Sequence, residues 1–337
     1  METLSKINHI RYLDIAKGLC MLLVIWIHVS VEFQKNIVVI YLNQFILAYY
    51  MPLFFVVSGI FIKKEPMDLF LKKKAKTLLL PFFIFYVLSY IVAYLASNYL
   101  GASLHNEFKI SNIFAVFYSQ TFSNGALWFL IALFFSFIFV RAALYFSSWG
   151  KQLCVILPVS VLGFYWSDIF AFRLPLYIDT ACTASLFVYA GYVLSKYKNQ
   201  LNRNKIVVLS MIGLLLLTFW LRKYGGVMMY NHYDDNIIAF YIVGFSGSLF
   251  LILLSVLIGK SIYLEYIGKF SIIPLCTHFF FVNPLKMVIV KLNIPDSIGL
   301  PVSYMIICIL MIPVIHIITT YFPFLIGKST SLNNQYK

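Results

Sequence analysis

Ionisable side chains are concentrated in one apolar segment near the start of the chain. From residue 11 to residue 32 the sequence reads RYLDIAKGLCMLLVIWIHVSVE, which contains Arg11, Asp14, Lys17, His28 and Glu32. Charged groups inside an apolar helix are costly and usually belong to a functional site. Imidazole titrates near neutral pH, so His28 is a candidate general base, and Glu32 is a candidate to orient the imidazole.

Helical spacing joins these side chains into pairs and into a stripe. Asp14 and Lys17 are three residues apart and can share a helix face, with Arg11 in reach of Asp14, and His28 can pair in the same way with Glu32. Lys17 and His28 are separated by about 1100° of helical rotation, which is three full turns plus about 20°, so both lie on one stripe of the helix. They are about 16 Å apart along the axis, and a long, thin substrate could contact both. The alternative is that the charged residues only anchor the helix at the cytoplasmic interface and that His28 is a hydrogen-bonded core residue.

A second group of cations follows the next apolar segment. Residues 63–76 read KKEPMDLFLKKKAK and include Lys74 and Lys76. Such a cluster commonly reflects membrane topology and attraction to anionic lipids, and it equally suits a polyanionic cofactor from the cytosol. Both interpretations remain open at the level of the sequence.

A membrane protein is required to position these groups. The chain is 62% hydrophobic and only 11% charged, which no soluble core could accommodate. Apolar segments of about 20 residues recur along it and predict an all-α, polytopic integral membrane protein with about ten transmembrane helices. The predicted spans are 13–33, 41–62, 77–98, 126–146, 152–167, 175–194, 205–221, 237–258, 271–290 and 300–324. We assign residues 1–327 to one membrane domain and residues 328–337 to a short polar cytoplasmic tail.

The charge distribution predicts the orientation of the chain. Lysine and arginine total 26 against 12 acidic residues, and most of these cations fall on the side of the N-terminus if every predicted span crosses. Because cytoplasmic loops of membrane proteins accumulate positive charge, both termini are expected in the cytoplasm. The excess of basic residues is then explained by topology, so no nucleic-acid partner is expected. Membrane lipids are the expected surroundings.

No metal site is expected from the cysteines and histidines. The 5 cysteines all lie in apolar segments, without a CxxC or Cys/His ligand pattern, and are interpreted as packing residues. His9, His105 and His316 show no spacing that suggests chemistry, and no pair of histidines has metal-ligand spacing.

Three motifs in order give the chain a family resemblance. They are DIAKG with His28 eleven residues after Lys17, MPLFFVVSG from Met51, and KKKAKTLLLP ending at Pro81. With weaker segments at ALWFLIALF, LPLYIDTACTASLFVYAGY and YIGKFSIIPLCTH, the sequence resembles the type-3 membrane acyltransferases, which O-acylate polysaccharides and related envelope glycans. The resemblance covers nearly the whole chain and implies a multi-pass protein of a bacterial-type plasma (inner) membrane.

The resemblance also implies a donor and its binding residues. The family pairs a basic residue, commonly arginine, with a histidine ten intervening residues later, and Lys17 and His28 occupy these places. Lysine lacks the bidentate geometry with which arginine binds phosphate. The implied donor is acetyl-coenzyme A, whose phosphates would be held by Lys17, Lys74 and Lys76, and Arg11 and Asp14 are assigned to the same cofactor-binding site. His28 would then act as general base, with an acyl-histidine intermediate as the rival mechanism.

The acceptor implied by the resemblance is a hydroxyl of a polysaccharide or a lipid-linked saccharide. Carboxylates, amides and imidazoles that suit sugar hydroxyls occur at Asp179, Asn231, His232, Asp234, Asp235 and His278. From these we select Asp179, Asn231, Asp235 and His278 as candidate substrate-binding residues. The alternatives are a solvated loop for residues 231–235 and a buried core histidine for His278.

Two other functions fit the composition. A polysaccharide or lipid-linked glycan transporter or flippase would share the topology and the buried charges. Transporters often contain an internal repeat with matched broken helices, and the sequence contains no such repeat. A noncatalytic membrane scaffold would not need the stripe of Lys17 and His28, so we favour the enzyme.

Overall fold

A computed structural model describes most of the chain. The described residues are 10–31, 36–100, 110–121, 124–197 and 205–328. They form α-helices, short 3-10 turns and one isolated β-bridge between Val227 and His232, and no strand occurs among them. The predicted all-α class is confirmed.

The α-helices of the described residues are numbered in chain order. They are α1 (Arg11–Ser30), α2 (Ile37–Leu47), α3 (Tyr50–Ile60), α4 (Met67–Lys74), α5 (Leu80–Leu100), α6 (Trp128–Ala143), α7 (Trp149–Phe164), α8 (Trp166–Ile169), α9 (Ile178–Leu194), α10 (Lys205–Leu221), α11 (Ile237–Ile258), α12 (Ile262–Lys269), α13 (Ile272–Thr277), α14 (Phe279–Lys291) and α15 (Asp296–Tyr321).

Several of these helices are long enough to cross a bilayer. Seven segments of the described residues combine sufficient length with an apolar composition: Arg11–Ser30, Ile37–Ile60, Met67–Leu95, Gly125–Ala143, Ile206–Tyr224, Ile237–Ile258 and Asp296–Tyr321. The chain is therefore a multi-pass integral membrane protein. The other three predicted spans coincide with the shorter helices α7 and α9 and with the consecutive pair α13 and α14. The count of ten crossings and the cytoplasmic termini stay predictions.

Helix boundaries differ from the predicted spans in several places. The second span is divided into α2 and α3, the ninth into α13 and α14, and the third begins at Met67 rather than near residue 77. Pro66 immediately precedes α4, and a π-helical turn at Ala75–Leu79 continues it into α5. Proline is favoured at a helix start, and the lysine-rich segment that follows has good helix propensity, so much of the predicted basic loop is helical.

Helix α1 lies in the middle of the bundle. It packs against α2, α3, α11, α12, α13, α14 and α15. Residues on several of its faces, including Leu13, Ile15, Cys20 and Ile25, are fully buried. Among its ionisable side chains, Asp14 is buried and Lys17 and His28 are partly buried, as expected for groups that would be costly in contact with lipid, whereas Arg11 is exposed.

Glycine allows α12 to approach α1 at the backbone level. A Cβ atom on Gly268 would lie 1.8 Å from the carbonyl oxygen of Asp14, and one on Gly18 would lie 2.2 Å from that of Leu264. No larger residue fits at either position without moving the helices apart. The motifs DIAKG and YIGKF, far apart in the sequence, thus form one helix crossing.

Candidate active site

His28 and His278 meet at one end of α1. His28 lies in the last turn of α1, and its ring centroid is 5.1 Å from that of His278 and 4.5 Å from that of Phe279. His278 is fully buried, whereas His28 is half-buried. A predicted general base and a predicted substrate-binding residue are thus neighbours, in what we call the His28 end of the bundle.

The hydrogen bonds of His278 show which nitrogen of its neutral ring carries the proton. The carbonyl oxygen of Pro274 accepts hydrogen bonds from the backbone N–H of His278, at 3.0 Å, and from its Nδ1, at 2.7 Å. A carbonyl oxygen only accepts, so Nδ1 carries the proton and Nε2 of the neutral ring presents a lone pair. That Nε2 atom is buried and has no hydrogen-bond partner among the residues that the structure describes.

Asn124 joins the same end of the bundle, although no spacing pattern in the sequence points to it. It precedes a short 3-10 turn that leads into α6. Its Nδ2 donates to the carbonyl oxygen of Cys276 at 2.8 Å and to Oγ of Ser89 at 3.2 Å. The Oδ1 atom is buried and finds no hydrogen-bond partner within the described part of the chain.

Lys17 lies nearer the other end of α1, which we call the Lys17 end. Its Nζ is 2.5 Å from Oδ1 of Asp14, which confirms the predicted pair, and 5.6 Å from the ring centroid of Phe61. Arg11 pairs with Glu265 of α12 at 3.3 Å. Because α1 is continuous from Arg11 to Ser30, Lys17 and His28 keep the spacing of one uninterrupted helix.

The predicted cofactor contacts in the basic segment have different surroundings. The Nζ of Lys74 lies 4.1 Å from the ring centroid of Phe137 and 5.6 Å from that of Phe70, as a cation–π contact. Lys76 is exposed, and the neighbouring Lys73 pairs with Glu65. Lys76 is thus the more accessible of the two predicted phosphate contacts.

Asp179 and Asn231 are both engaged within the protein. Asp179 is fully buried and accepts bidentate hydrogen bonds from Arg173 and one from the backbone N–H of Thr180. Asn231 adopts a left-handed backbone conformation, with φ of 50°, and donates to the carbonyl oxygen of Gly163 at 2.9 Å. The Asn231 bond ties the 222–236 loop to α7, and a bond from Oγ1 of Thr180 to the carbonyl oxygen of Met228, at 3.0 Å, ties it to α9. Their role toward a substrate stays a prediction.

The remaining predicted residues are less informative. Asp235 is exposed in the loop before α11. Glu32 lies outside the described residues. Among the described residues, no group of three histidine, cysteine, aspartate or glutamate side chains is placed to hold a metal ion.

Comparison with known proteins adds one finding. The model of an acyltransferase domain matches residues 10–320, which include every described residue of both ends of α1. No curated protein and no solved structure matches the chain significantly. The match spans the central helix, the basic segment and the α13–α14 junction.

Proposed function

Since this chain belongs to the acyltransferase domain family, we propose that it is a membrane O-acyltransferase that uses acetyl-coenzyme A as donor. The acceptor in this proposal is a hydroxyl of a cell-surface polysaccharide or lipid-linked glycan. The observation that carries the proposal is the stripe of α1: a cation and a histidine, both half-buried, on one continuous helix at the centre of a membrane bundle.

The donor is held at the Lys17 end. Its phosphates are bound by Lys17 and Lys76, with Arg11 and Lys74 nearby in the sequence motifs. Asp14 contacts Nζ of Lys17 at 2.5 Å and so restricts where the ammonium group can point. The flexible arm of the donor then extends along α1 for about 16 Å and brings the thioester to His28.

His28 acts as general base in the transfer. The acceptor oxygen attacks the thioester carbonyl carbon while His28 takes the hydroxyl proton. This attack forms the C–O bond and a tetrahedral intermediate. Its collapse restores the carbonyl group and breaks the C–S bond, and the imidazolium returns its proton to the departing thiolate. Such base catalysis is typically worth ~10²–10⁴ in rate. Glu32, four residues further on, orients the imidazole in this proposal.

The first test separates donor binding from transfer. Purified protein in nanodiscs is assayed for acetyl-coenzyme A binding by calorimetry and for thioester cleavage. We expect His28→Ala to bind the donor and to lose about 10²-fold or more of the cleavage rate. We expect Lys17→Ala to bind at least several-fold more weakly, because it loses a charge contact to phosphate.

Matched controls come from exposed residues of the same types. His316 lies on an exposed face of α15, and Lys260 lies in the exposed turn after α11, so His316→Ala and Lys260→Ala should behave like the parent. Trapping of an acetylated His28 by mass spectrometry would replace direct transfer with the acyl-histidine route. Failure of the parent itself to bind the donor would reject the proposal and favour the transporter.

A further inference from the structure

Two buried acceptor atoms at the His28 end have no partner in the part of the chain that the structure describes. Asn124 is 1% exposed and His278 is 0% exposed, yet Oδ1 of the first and Nε2 of the second have no hydrogen-bond partner among the described residues. Buried polar atoms are nearly always paired, because an unmade hydrogen bond costs free energy. Two such atoms at the same end of the bundle therefore point to a ligand that supplies donors.

The hydrogen bonds around Asn124 fix which of its atoms is unpaired. Exchanging the amide oxygen and nitrogen would place Oδ1 2.8 Å from the carbonyl oxygen of Cys276, and two acceptors cannot bond each other. Nδ2 must therefore face Cys276, which leaves Oδ1 free. The unpaired atom of His278 is likewise an acceptor, since Nδ1 carries the proton.

Shared neighbours place both acceptors near the proposed base. Cys276, which bonds Asn124, is two residues before His278 on the same short helical segment. A Cβ on Gly125 would lie 3.6 Å from Cζ of Phe279, and the Phe279 ring centroid is 4.5 Å from that of His28 and 4.8 Å from that of His278. His28 and His278 thus both lie against the Phe279 ring, and Gly125, the residue after Asn124, approaches the same ring.

We propose that Asn124 Oδ1 and His278 Nε2 each accept a hydrogen bond from a further hydroxyl of the acyl acceptor, next to the hydroxyl that His28 deprotonates. This inference rests on the proposed function and assigns the two residues to specificity. An acceptor with neighbouring hydroxyls satisfies both atoms, whereas a simple alcohol leaves them unpaired. Sites built to bond a hydroxyl discriminate strongly against analogues that lack it.

An amide N–H in the flexible arm of acetyl-coenzyme A could also donate these hydrogen bonds. We favour the acyl acceptor as their source, because acetyl-coenzyme A is bound by its phosphates at the Lys17 end and only its thioester tip reaches the His28 end. The two sources affect different kinetic constants. Loss of an acceptor contact raises the KM of the acceptor, and loss of a donor contact raises the KM of acetyl-coenzyme A.

The test compares two probes that differ by two hydroxyls. The protein in nanodiscs, with acetyl-coenzyme A as donor, is offered cis,cis-1,2,3-cyclohexanetriol or cyclohexanol, and the acetyl esters are quantified. We expect the parent to prefer the triol by about tenfold in kcat/KM, as for one or two good hydrogen bonds. Asn124→Leu and His278→Asn should each reduce this preference several-fold, with an unchanged KM for acetyl-coenzyme A.

The variants are chosen to separate specificity from folding. The amide of His278→Asn can still donate to the Pro274 carbonyl but lacks the Nε2 acceptor. Ser89→Ala removes a hydrogen bond from Nδ2 of Asn124 and leaves Oδ1 untouched, so it should keep the preference of the parent. If Asn124→Leu fails to fold, the preferences of His278→Asn and Ser89→Ala are compared with each other, and a loss in His278→Asn alone supports the inference.

Every other outcome counts against the inference. Folded variants that keep the preference of the parent overturn it, as do variants that change only the KM of acetyl-coenzyme A. A parent that cleaves acetyl-coenzyme A but acetylates the two alcohols equally, or neither of them, overturns this inference and leaves the proposed function standing. A parent that neither binds nor cleaves the donor overturns the proposed function as well.

Discussion

The two ion pairs at the Lys17 end differ in burial, and this difference determines how much each contributes to stability. Lys17 and Asp14 have side-chain exposures of 20% and 9%, whereas Arg11 and Glu265 have 56% and 22%. An exposed pair contributes little because water screens it. Removing one partner of a largely buried pair leaves a charge uncompensated, which is much more costly.

Asp14→Asn should therefore destabilise the protein more than Glu265→Gln does. We expect a loss of about 1–3 kcal/mol in the free energy of unfolding for Asp14→Asn, as for hydrogen bonds to charged groups. For Glu265→Gln we expect less than about 1 kcal/mol. Unfolding in detergent mixtures, followed by circular dichroism, measures both. Equal losses in the two variants would show that burial does not govern these pairs.

Residue types and spacing predicted the part of the site that lies on one helix. The pair of Asp14 and Lys17 follows from helical periodicity alone, so it needs no tertiary information. The contact of Lys74 with Phe137, and the unpaired oxygen of Asn124, depend on which helices pack together. A single sequence contains no periodic signal for such contacts.

At the level of helices, the crossing of α1 and α12 holds the Lys17 end in place. The crossing depends on Gly18 and Gly268, because a Cβ at Gly268 would overlap the carbonyl oxygen of Asp14. Small residues at a helix contact allow this close approach in membrane proteins. The crossing explains why the glycines of two distant motifs are needed, which the sequence motifs alone do not explain.

Gly268→Ala should push α12 away from α1. Overpacking of this kind costs about 1–3 kcal/mol in the free energy of unfolding, and displacement of Asp14 should also raise the KM for acetyl-coenzyme A. Gly213→Ala is the matched control, because a Cβ there meets nothing within 4 Å. In an exposed helical position this change should be neutral or stabilising by up to about 1 kcal/mol. Equal melting temperatures for the two variants would contradict the role of the crossing.

Apolar periodicity predicted where helices lie but not where they break. The division between α2 and α3 and the turn at His278 between α13 and α14 both fall inside predicted continuous spans. Both breaks lie close to a proline, Pro52 in the first turn of α3 and Pro274 in α13, and the carbonyl oxygen of Pro274 also accepts a hydrogen bond from Nδ1 of His278. Sequence reasoning selects His278 as a candidate site residue, but its place at a break beside His28 depends on tertiary packing.

For the whole molecule, the distribution of cations predicts which end faces the cytoplasm. At the Lys17 end, Nζ of Lys17 lies 5.6 Å from the ring centroid of Phe61, two residues before the basic segment 63–76. The His28 end adjoins the 222–236 loop, where a Cβ on Gly125 would lie 3.7 Å from Cε of Met229. A donor made in the cytosol therefore has access to Lys17 only if the basic segment is cytoplasmic. This orientation agrees with the rule that positive charge accumulates inside.

Labelling of single added cysteines in intact cells tests this orientation. Lys72 and Asp234 are both exposed, and they lie in the basic segment and in the 222–236 loop. We expect a membrane-impermeant maleimide to label Asp234→Cys in intact cells and to label Lys72→Cys only after the cells are opened. The parent protein gives the background from its native cysteines. The reverse pattern would invert the proposed topology.

The close crossing of α1 with α12 also has a consequence for synthesis. Gly18 leaves the ribosome early, whereas its contact at Leu264 is made roughly 250 residues later. At about 5–20 residues per second, that interval lasts on the order of 10–50 s. During this time the first helix, with its ionisable side chains, stays in the membrane or the insertion machinery without α12 as its neighbour. The Lys17 end is therefore complete only after α12 has been translated, and chains terminated before α12 should be inactive whatever their other helices do.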